Sequence, residues 1–234
     1  LVGGSGSGKS TIGKAIIGLE KIKDGTITYE GKVIEKRRSR KSDYNQNIQM
    51  IFQDSLSSLN PKKRIIDIIA EPLRNFENLT DKEESRRVSE LLEIVGMTDD
   101  ALYKYPHEFS GGQRQRIGVA RAVAIKPKLI IADEPVSALD LSVQAQVLNY
   151  MKEIQKQFGL SYLFISHDLG VVKHMCDHIS IMYRGRFVET GEKADIYNNP
   201  QHIYTKRLIA AIPEVNPNHR ESNKLRRLAV EKVY

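Results

Sequence analysis

Gly3-Gly4-Ser5-Gly6-Ser7-Gly8-Lys9-Ser10-Thr11 fits the pattern G-x-x-x-x-G-K-[ST] at every constrained position, with Gly3, Gly8, Lys9 and Ser10 in the fixed places. Glycines let a backbone curl until successive N–H groups point inward at phosphate oxygens, and a helix that follows adds the partial positive charge of its N-terminus. Lys9 is then placed to hold the β- and γ-phosphates of a nucleotide, and the Ser10 hydroxyl to ligate Mg²⁺. A glycine-serine linker shares the opening composition, but it gives no reason for Gly-Lys-Ser-Thr followed at once by the helical spacing Ile12, Ala15, Ile16, Leu19. The motif requires a buried strand before the loop, of which Leu1 and Val2 are present, so the expected core is N-terminally truncated.

Working outward, Thr26-Ile27-Thr28-Tyr29 and Val33-Ile34 read as a small antiparallel β piece, and Ile48 to Phe52 as a further strand ending at Gln53. From Leu59 the pattern turns helical. Ile65, Ile68, Ile69 and Leu73 form one apolar stripe, and Val88, Leu91, Leu92 and Val95 a second, with no strand pattern between residues 62 and 105. Ser110-Gly111-Gly112-Gln113 opens another helix, with Ser110 as N-cap; exposed N–H groups at such a start also suit an anion.

Leu129-Ile130-Ile131-Ala132 is a continuous apolar run of the kind buried parallel strands show, and it ends in Asp133 and Glu134. Ligands of such sheets sit at the C-terminal edge of the strands. Asp133 is therefore the expected Mg²⁺ support, through water, and Glu134 the group that polarises an attacking water. A long helix follows Asp140, carrying Val143, Val147, Met151, Ile154 and Phe158 on its apolar face. The next strand, Ser161 to Ile165, closes on Ser166-His167-Asp168, which puts a histidine at the same sheet edge, within reach of a γ-phosphate. His174, Cys176 and His178 fall where a helix gives way to a strand, so their side chains scatter and no metal site is expected there.

With 40% hydrophobic and 28% charged residues, the 234-residue chain has an ordinary globular composition. Its apolar runs fall well short of the ~20 residues that span a bilayer. The single cysteine, Cys176, excludes an intramolecular disulfide framework and a cysteine-ligated iron-sulfur cluster. The net charge of +7 is concentrated in residues 36–41 and around Lys224, Arg226 and Arg227, without the interleaved aromatics of a base-stacking surface. A solvated face or one turned to anionic lipid head groups is expected, and no nucleic acid partner.

The ordered set of phosphate loop, Gln53, Ser110-Gly111-Gly112-Gln113, Asp133-Glu134 and His167 resembles the ATP-binding-cassette (ABC) ATPases over essentially the whole chain. Phe109 stands where the family's signature usually has leucine. Leu59-Asn60-Pro61, Tyr105-Pro106-His107-Glu108-Phe109, Ala132 to Asp140 and Asn199-Pro200-Gln201-His202-Ile203-Tyr204-Thr205 look like the oligopeptide/dipeptide importer branch, most like its second ATPase subunit; nickel importers share much of this wording.

The resemblance implies an α/β fold: a P-loop NTPase (RecA-like) core over residues 1–53 and 124–190, a small antiparallel β piece, and an inserted α-helical subdomain over 54–123. A C-terminal tail would cover 191–234 in one nucleotide-binding domain. It implies ATP and Mg²⁺ as ligands, hydrolysis powering peptide import, Glu134 as general base and His167 as γ-phosphate sensor. It also implies that Gln53 couples the metal site to the helical lobe. Ser110, Gly111, Gly112 and Gln113 would contact ATP bound to an opposite ATPase subunit, and Asp140 would communicate across that interface. The implied partners are that second ATPase in a hetero- or homodimer, transmembrane permease subunits and, indirectly, a substrate-binding protein, at the cytoplasmic face of the membrane. An ATPase of a nickel importer is the nearest alternative, and a cassette ATPase acting on nucleic acid or the ribosome a more distant one.

Overall fold

In a computed structural model, residues 1–34, 43–54 and 58–212 are described. The basic run at 36–41 and the basic residues at 224–227 lie outside them. Contacts divide the chain into two compact units, Leu1–Lys9 with Phe164–Tyr234, and Ser10–Leu163.

The first unit is built on a three-stranded sheet. β1 (Val2–Gly3) pairs in parallel with β7 (His178–Tyr183), Val2 opposite Ile181 and Gly3 opposite Met182, and β7 pairs antiparallel with β8 (Arg186–Glu192). Phe164 and Ser166, at the end of β6 (Ser161–Ile165), flank β1: the Phe164 carbonyl accepts from the Leu1 nitrogen, and the Ser166 N–H donates to Leu1 O. Val2, Ile165, Ile179, Ile181 and Met182 are buried here, and each apolar side chain of this size removed from water contributes about 1.5–3 kcal/mol. Three helices complete the unit, with residue ranges Leu169–Met175, Lys193–Asn198 and Ile203–Ala210.

In the second unit β4 (Ile48–Ile51) pairs in parallel with β5 (Leu129–Asp133), and Ser161 N–H adds the start of β6 by donating to Lys128 O. Ile130, Ile131 and Ala132 are fully buried, which is what an unbroken apolar strand requires. β2 (Thr28–Tyr29) and β3 (Lys32–Val33) make the small antiparallel piece, shorter than their alternating pattern.

The helices, numbered along the chain, are α1 (Lys9–Ile16), α2 (Asp43–Asn47), α3 (Ile65–Phe76), α4 (Asp81–Ile94), α5 (Gly111–Val123), α6 (Leu141–Phe158), α7 (Leu169–Met175), α8 (Lys193–Asn198) and α9 (Ile203–Ala210). α3, α4 and α5 pack on one another through the two predicted stripes; Ile65, Ile69, Leu73, Val88, Leu92 and Val95 are fully buried. Between residues 62 and 105 the described chain holds no strand. α5 also packs on β4 and on α6, so the helix that starts at Ser110 reaches both the helical cluster and the sheet of this unit. On α6 Val147, Met151 and Ile154 are buried, while Val143 and Phe158 at its ends are half-buried. α1 stops at Ile16 although the apolar spacing runs to Leu19. Leu19 N–H donates to Lys14 O and Gly18 N–H to Ala15 O, a Schellman closure that leaves Leu19 62% exposed.

Candidate functional site

The phosphate loop grows out of β1 and is rooted in the first unit. Gly3, Ser7 and Lys9 are buried, whereas Ser5 and Gly6 at the turn are exposed and Gly4 and Gly8 half-buried. A Cβ on Gly3 would lie 2.3 Å from Met182 O, so no larger residue fits this strand position without displacing the sheet. Gly8 has φ +98°, which L side chains rarely adopt.

Two further bonds shape the loop. Ser7 N–H donates to Gly4 O at 3.3 Å, and Ser7 O accepts from Gly185 N–H at 3.1 Å. Lys9 Nζ donates to Gly3 O at 2.8 Å and to Gly4 O at 2.9 Å. Burying an ammonium is costly unless such bonds satisfy it, and here they hold the cation inside the curl of its own loop. The buried Ser7 hydroxyl has no hydrogen-bond partner, a polar group still unsatisfied in the same curl. A buried lysine and an unsatisfied hydroxyl in one curl make a donor set that fits the oxygens of a polyphosphate.

His167 belongs to this unit and is exposed. Its neighbours fix it: Asp168 N–H donates to Ser166 Oγ at 3.0 Å, and Asp168 Oδ1 caps α7 by accepting from Gly170 N–H at 2.7 Å and Val171 N–H at 3.4 Å.

The second unit carries the carboxylates. Asp133 is 3% exposed at the end of β5, and its Oδ1 accepts from the Ser10 hydroxyl at 2.8 Å, on the first turn of α1. Residues 123 apart in sequence thus present two hard oxygen donors side by side, which suits Mg²⁺ and not a soft metal. Glu134 has φ +46°, a left-handed conformation that costs a non-glycine residue of order 1–3 kcal/mol. Gln53 Nε2 donates to Glu134 Oε2 at 3.2 Å, an exposed contact joining the end of the β4 segment to the acid after β5. Thr11 is exposed on α1.

Ser110 caps α5 as its residue type predicts, and the cap is reciprocal. Ser110 Oγ accepts from Gln113 N–H at 3.3 Å, and Gln113 Oε1 accepts from Ser110 N–H at 2.9 Å. Ser110 is exposed, Gly111 half-buried and Gly112 buried; a Cβ on Gly112 would meet Val143 Cγ1 at 2.2 Å. Asp140 is the exposed N-cap residue of α6, where its carbonyl accepts from Gln144 N–H; no side-chain cap bond forms. Elsewhere in this unit a cavity of about 430 Å³ is lined by Ile17, Met50, Phe52, Pro72, Phe76 and Arg121, among others. Arg121 Nη1 donates to Ser58 O at 2.7 Å, and burial pulls the guanidinium below its ordinary value.

The structure therefore brings Ser10 to Asp133 and Gln53 to Glu134, and closes Lys9 onto Gly3 and Gly4. Sequence reasoning missed Tyr204, whose hydroxyl accepts from Gly4 N–H at 2.7 Å across 200 residues.

A glycine-rich loop between a sheet strand and a helix, with Ser10 against Asp133, defines the class: a P-loop nucleoside-triphosphatase domain. The ABC transporter family model matches residues 1–137, and the model described as the oligopeptide/dipeptide transporter C-terminal region matches residues 188–232. The chain is 60% identical, over its full length and 74% of the relative, to the oligopeptide transport ATP-binding protein OppF of Lactococcus lactis. It is 53% identical to OppF of Bacillus subtilis, over 97% of this chain and 75% of that one. Among solved structures, cbiO1 from Clostridium perfringens, part of the ABC transporter complex cbiONQ, superposes with a TM-score of 0.75 at 27% identity, covering 88% of this chain and 81% of its own. The chain belongs to the ABC transporter family. No helix among the described residues is long and apolar enough to cross a membrane.

Proposed function

We propose that this chain is the ATP-hydrolysing subunit of a peptide importer, bound to permease subunits at the cytoplasmic face of the membrane. The 2.8 Å bond between Ser10 and Asp133 is the observation that carries the hydrolytic reading, because it pairs the loop hydroxyl with the strand-end carboxylate that phosphoryl transfer requires. Match of residues 188–232 to the peptide-transporter C-terminal region, together with the names of the relatives, supports peptides as cargo.

In this reading the loop from Gly3 to Thr11 binds the phosphates through its amides and Lys9. Ser10 would hold Mg²⁺ together with Asp133 and Gln53, and when bound the ion would supply charge neutralisation for the transferring phosphoryl group. Glu134 takes the proton of the attacking water, its side chain oriented by Gln53. His167 senses the γ-phosphate. Ser110, Gly111, Gly112 and Gln113 serve the nucleotide of a second ATPase subunit, a copy of this chain or a related one, and Asp140 relays across that contact. Residues 54–123 act as a helical subdomain that, with the segment after Gln53, grips a cytoplasmic loop of the permease, while a substrate-binding protein selects the cargo. Closure on ATP and reopening after hydrolysis differ in free energy, and that difference is what drives the membrane subunits.

Glu134→Gln tests the central role. Hydrolysis should fall at least about 100-fold while ATP binding, followed by titration calorimetry, persists. Near-normal turnover would remove Glu134 as the base.

A further inference from the structure

The bond from Gly4 N–H to Tyr204 has a partner on the other side of the same peptide group. Gly3 O and Gly4 N belong to one peptide plane. Lys9 Nζ donates to its oxygen at 2.8 Å, and the Tyr204 hydroxyl accepts from its N–H at 2.7 Å. Hydrogen bonds at the two ends of one amide polarise each other, so each strengthens the other. This peptide is the pivot of the phosphate loop, since its carbonyl is one of the two that seat the loop's lysine.

Tyr204 is itself held in place. Its ring packs on Tyr183 of β7, centroids 4.4 Å apart. Its helix, α9, begins with the backbone N–H groups of Gln201 and His202 donating to the two oxygens of Glu189 on β8, at 2.7 and 3.0 Å, and with Tyr204 N–H donating to His202 Nδ1. β7 and β8 form the same sheet that pairs with β1, the root of the loop. The motif pattern leaves position 4 free, yet a Cβ there would lie 3.1 Å from the Tyr204 oxygen, a tight contact that glycine avoids.

We propose that Tyr204, contributed by the C-terminal region at residues 188–232, is a positioning residue for nucleotide binding: it fixes the Gly3–Gly4 peptide and through it the seat of Lys9. The inference rests on the phosphate-loop reading and extends it to a part of the chain that has no phosphate-binding motif. The region that marks the peptide-transporter branch thereby acts on the nucleotide loop within its own unit.

Tyr204→Phe keeps the ring on Tyr183 and removes only the acceptor. One lost hydrogen bond of about 0.5–1.5 kcal/mol corresponds to a weakening of roughly twofold to tenfold. The expected result is that loss in affinity for both ATP and ADP, with kcat at saturating ATP within about twofold; because the bond also belongs to the ligand-free fold, the melting temperature should fall by no more than a few degrees. Labelling of Lys9 by an amine-reactive reagent, read by mass spectrometry, should quicken in the same variant and be suppressed by ADP. Glu189→Gln should move both readouts the same way by less. Unchanged affinity and unchanged Lys9 labelling in Tyr204→Phe would overturn the proposal, as would a loss of affinity matched by a lower melting temperature without faster labelling. A parent chain that fails to bind ATP would instead refute the underlying phosphate-loop reading.

Discussion

The phosphate loop and the start of α5 are both glycine-bearing turns into a helix, and they use glycine for different ends. At Gly8 the backbone sits at φ +98° and the residue supplies curvature. At Gly112 φ is ordinary and the residue supplies room, because Val143 occupies the place of its side chain. The loop wraps inward around a buried lysine, while the α5 start ends in an exposed serine whose cap closes on its own Gln113. A turn that encloses its cation is built to hold a ligand by itself. One that presents an exposed helix end, with the Ser110 and Gln113 N–H groups already paired in its own cap, suits a ligand held mainly by another surface.

The largest effect should separate the two directly. Lys9→Ala removes charge-assisted hydrogen bonds worth about 1.5–3 kcal/mol apiece, so nucleotide affinity should fall on the order of 100-fold or more. Ser110→Ala should leave affinity of the single chain within about twofold, cost about 1 kcal/mol in stability through the lost cap, and lower turnover. Titration calorimetry on both variants decides the matter. Comparable losses of affinity would erase the distinction between an enclosing and a presenting turn.

Glycine substitutions sharpen it next. Gly112→Ala should destabilise by about 1–3 kcal/mol through overpacking, and Val143→Ala should restore most of that in the double variant. Gly8→Ala should cost a similar amount, of order 1–3 kcal/mol, from backbone strain, and trimming Met182, 3.5 Å from the new methyl, should restore nothing. Urea titrations of the four variants measure the coupling. Rescue in the loop, or its absence at α5, would reverse the roles assigned to the two glycines.

How much of this was legible from the chain depends on how local the physics is. Lys9, Ser10, Asp133 and Glu134 announce themselves because a phosphate loop and a strand ending in acids are contiguous patterns, and the two helical stripes near residues 65 and 90 are plain periodicity. Ser110 is legible as an N-cap, and Ser-x-x-Gln already contains the reciprocal half of the box that the structure closes. Leu19 misleads, since periodicity has no knowledge of the Schellman bonds that stop α1 at Ile16. Tyr204 was out of reach for a different reason. Its contact depends on β1 pairing with β7 and on the start of α9 being tethered to Glu189 of β8, facts of register and packing that no local window holds.

The smallest effect tests whether support for the phosphate loop extends into the C-terminal region while the α5 start has none from there. Burial pushes the Glu189 carboxyl up, but the N–H groups of Gln201 and His202 outweigh it and hold the group below its ordinary value of 4.5. A carboxylate whose folded value is depressed adds stability that is complete above its unfolded value and is lost as pH falls through the folded one. Between neutral pH and about pH 5 the contribution of Glu189 should therefore be constant, and it should fade below that as the carboxyl protonates and α9 loses its tether. Hydrogen exchange makes the effect local. On acidification the amides of residues 3–9 should lose protection earlier than those of residues 110–114, and Glu189→Gln should bring that loss up to neutral pH without touching the second set. Equal loss in both segments would show that acid acts on the whole fold, and that the loop draws no particular support from α9.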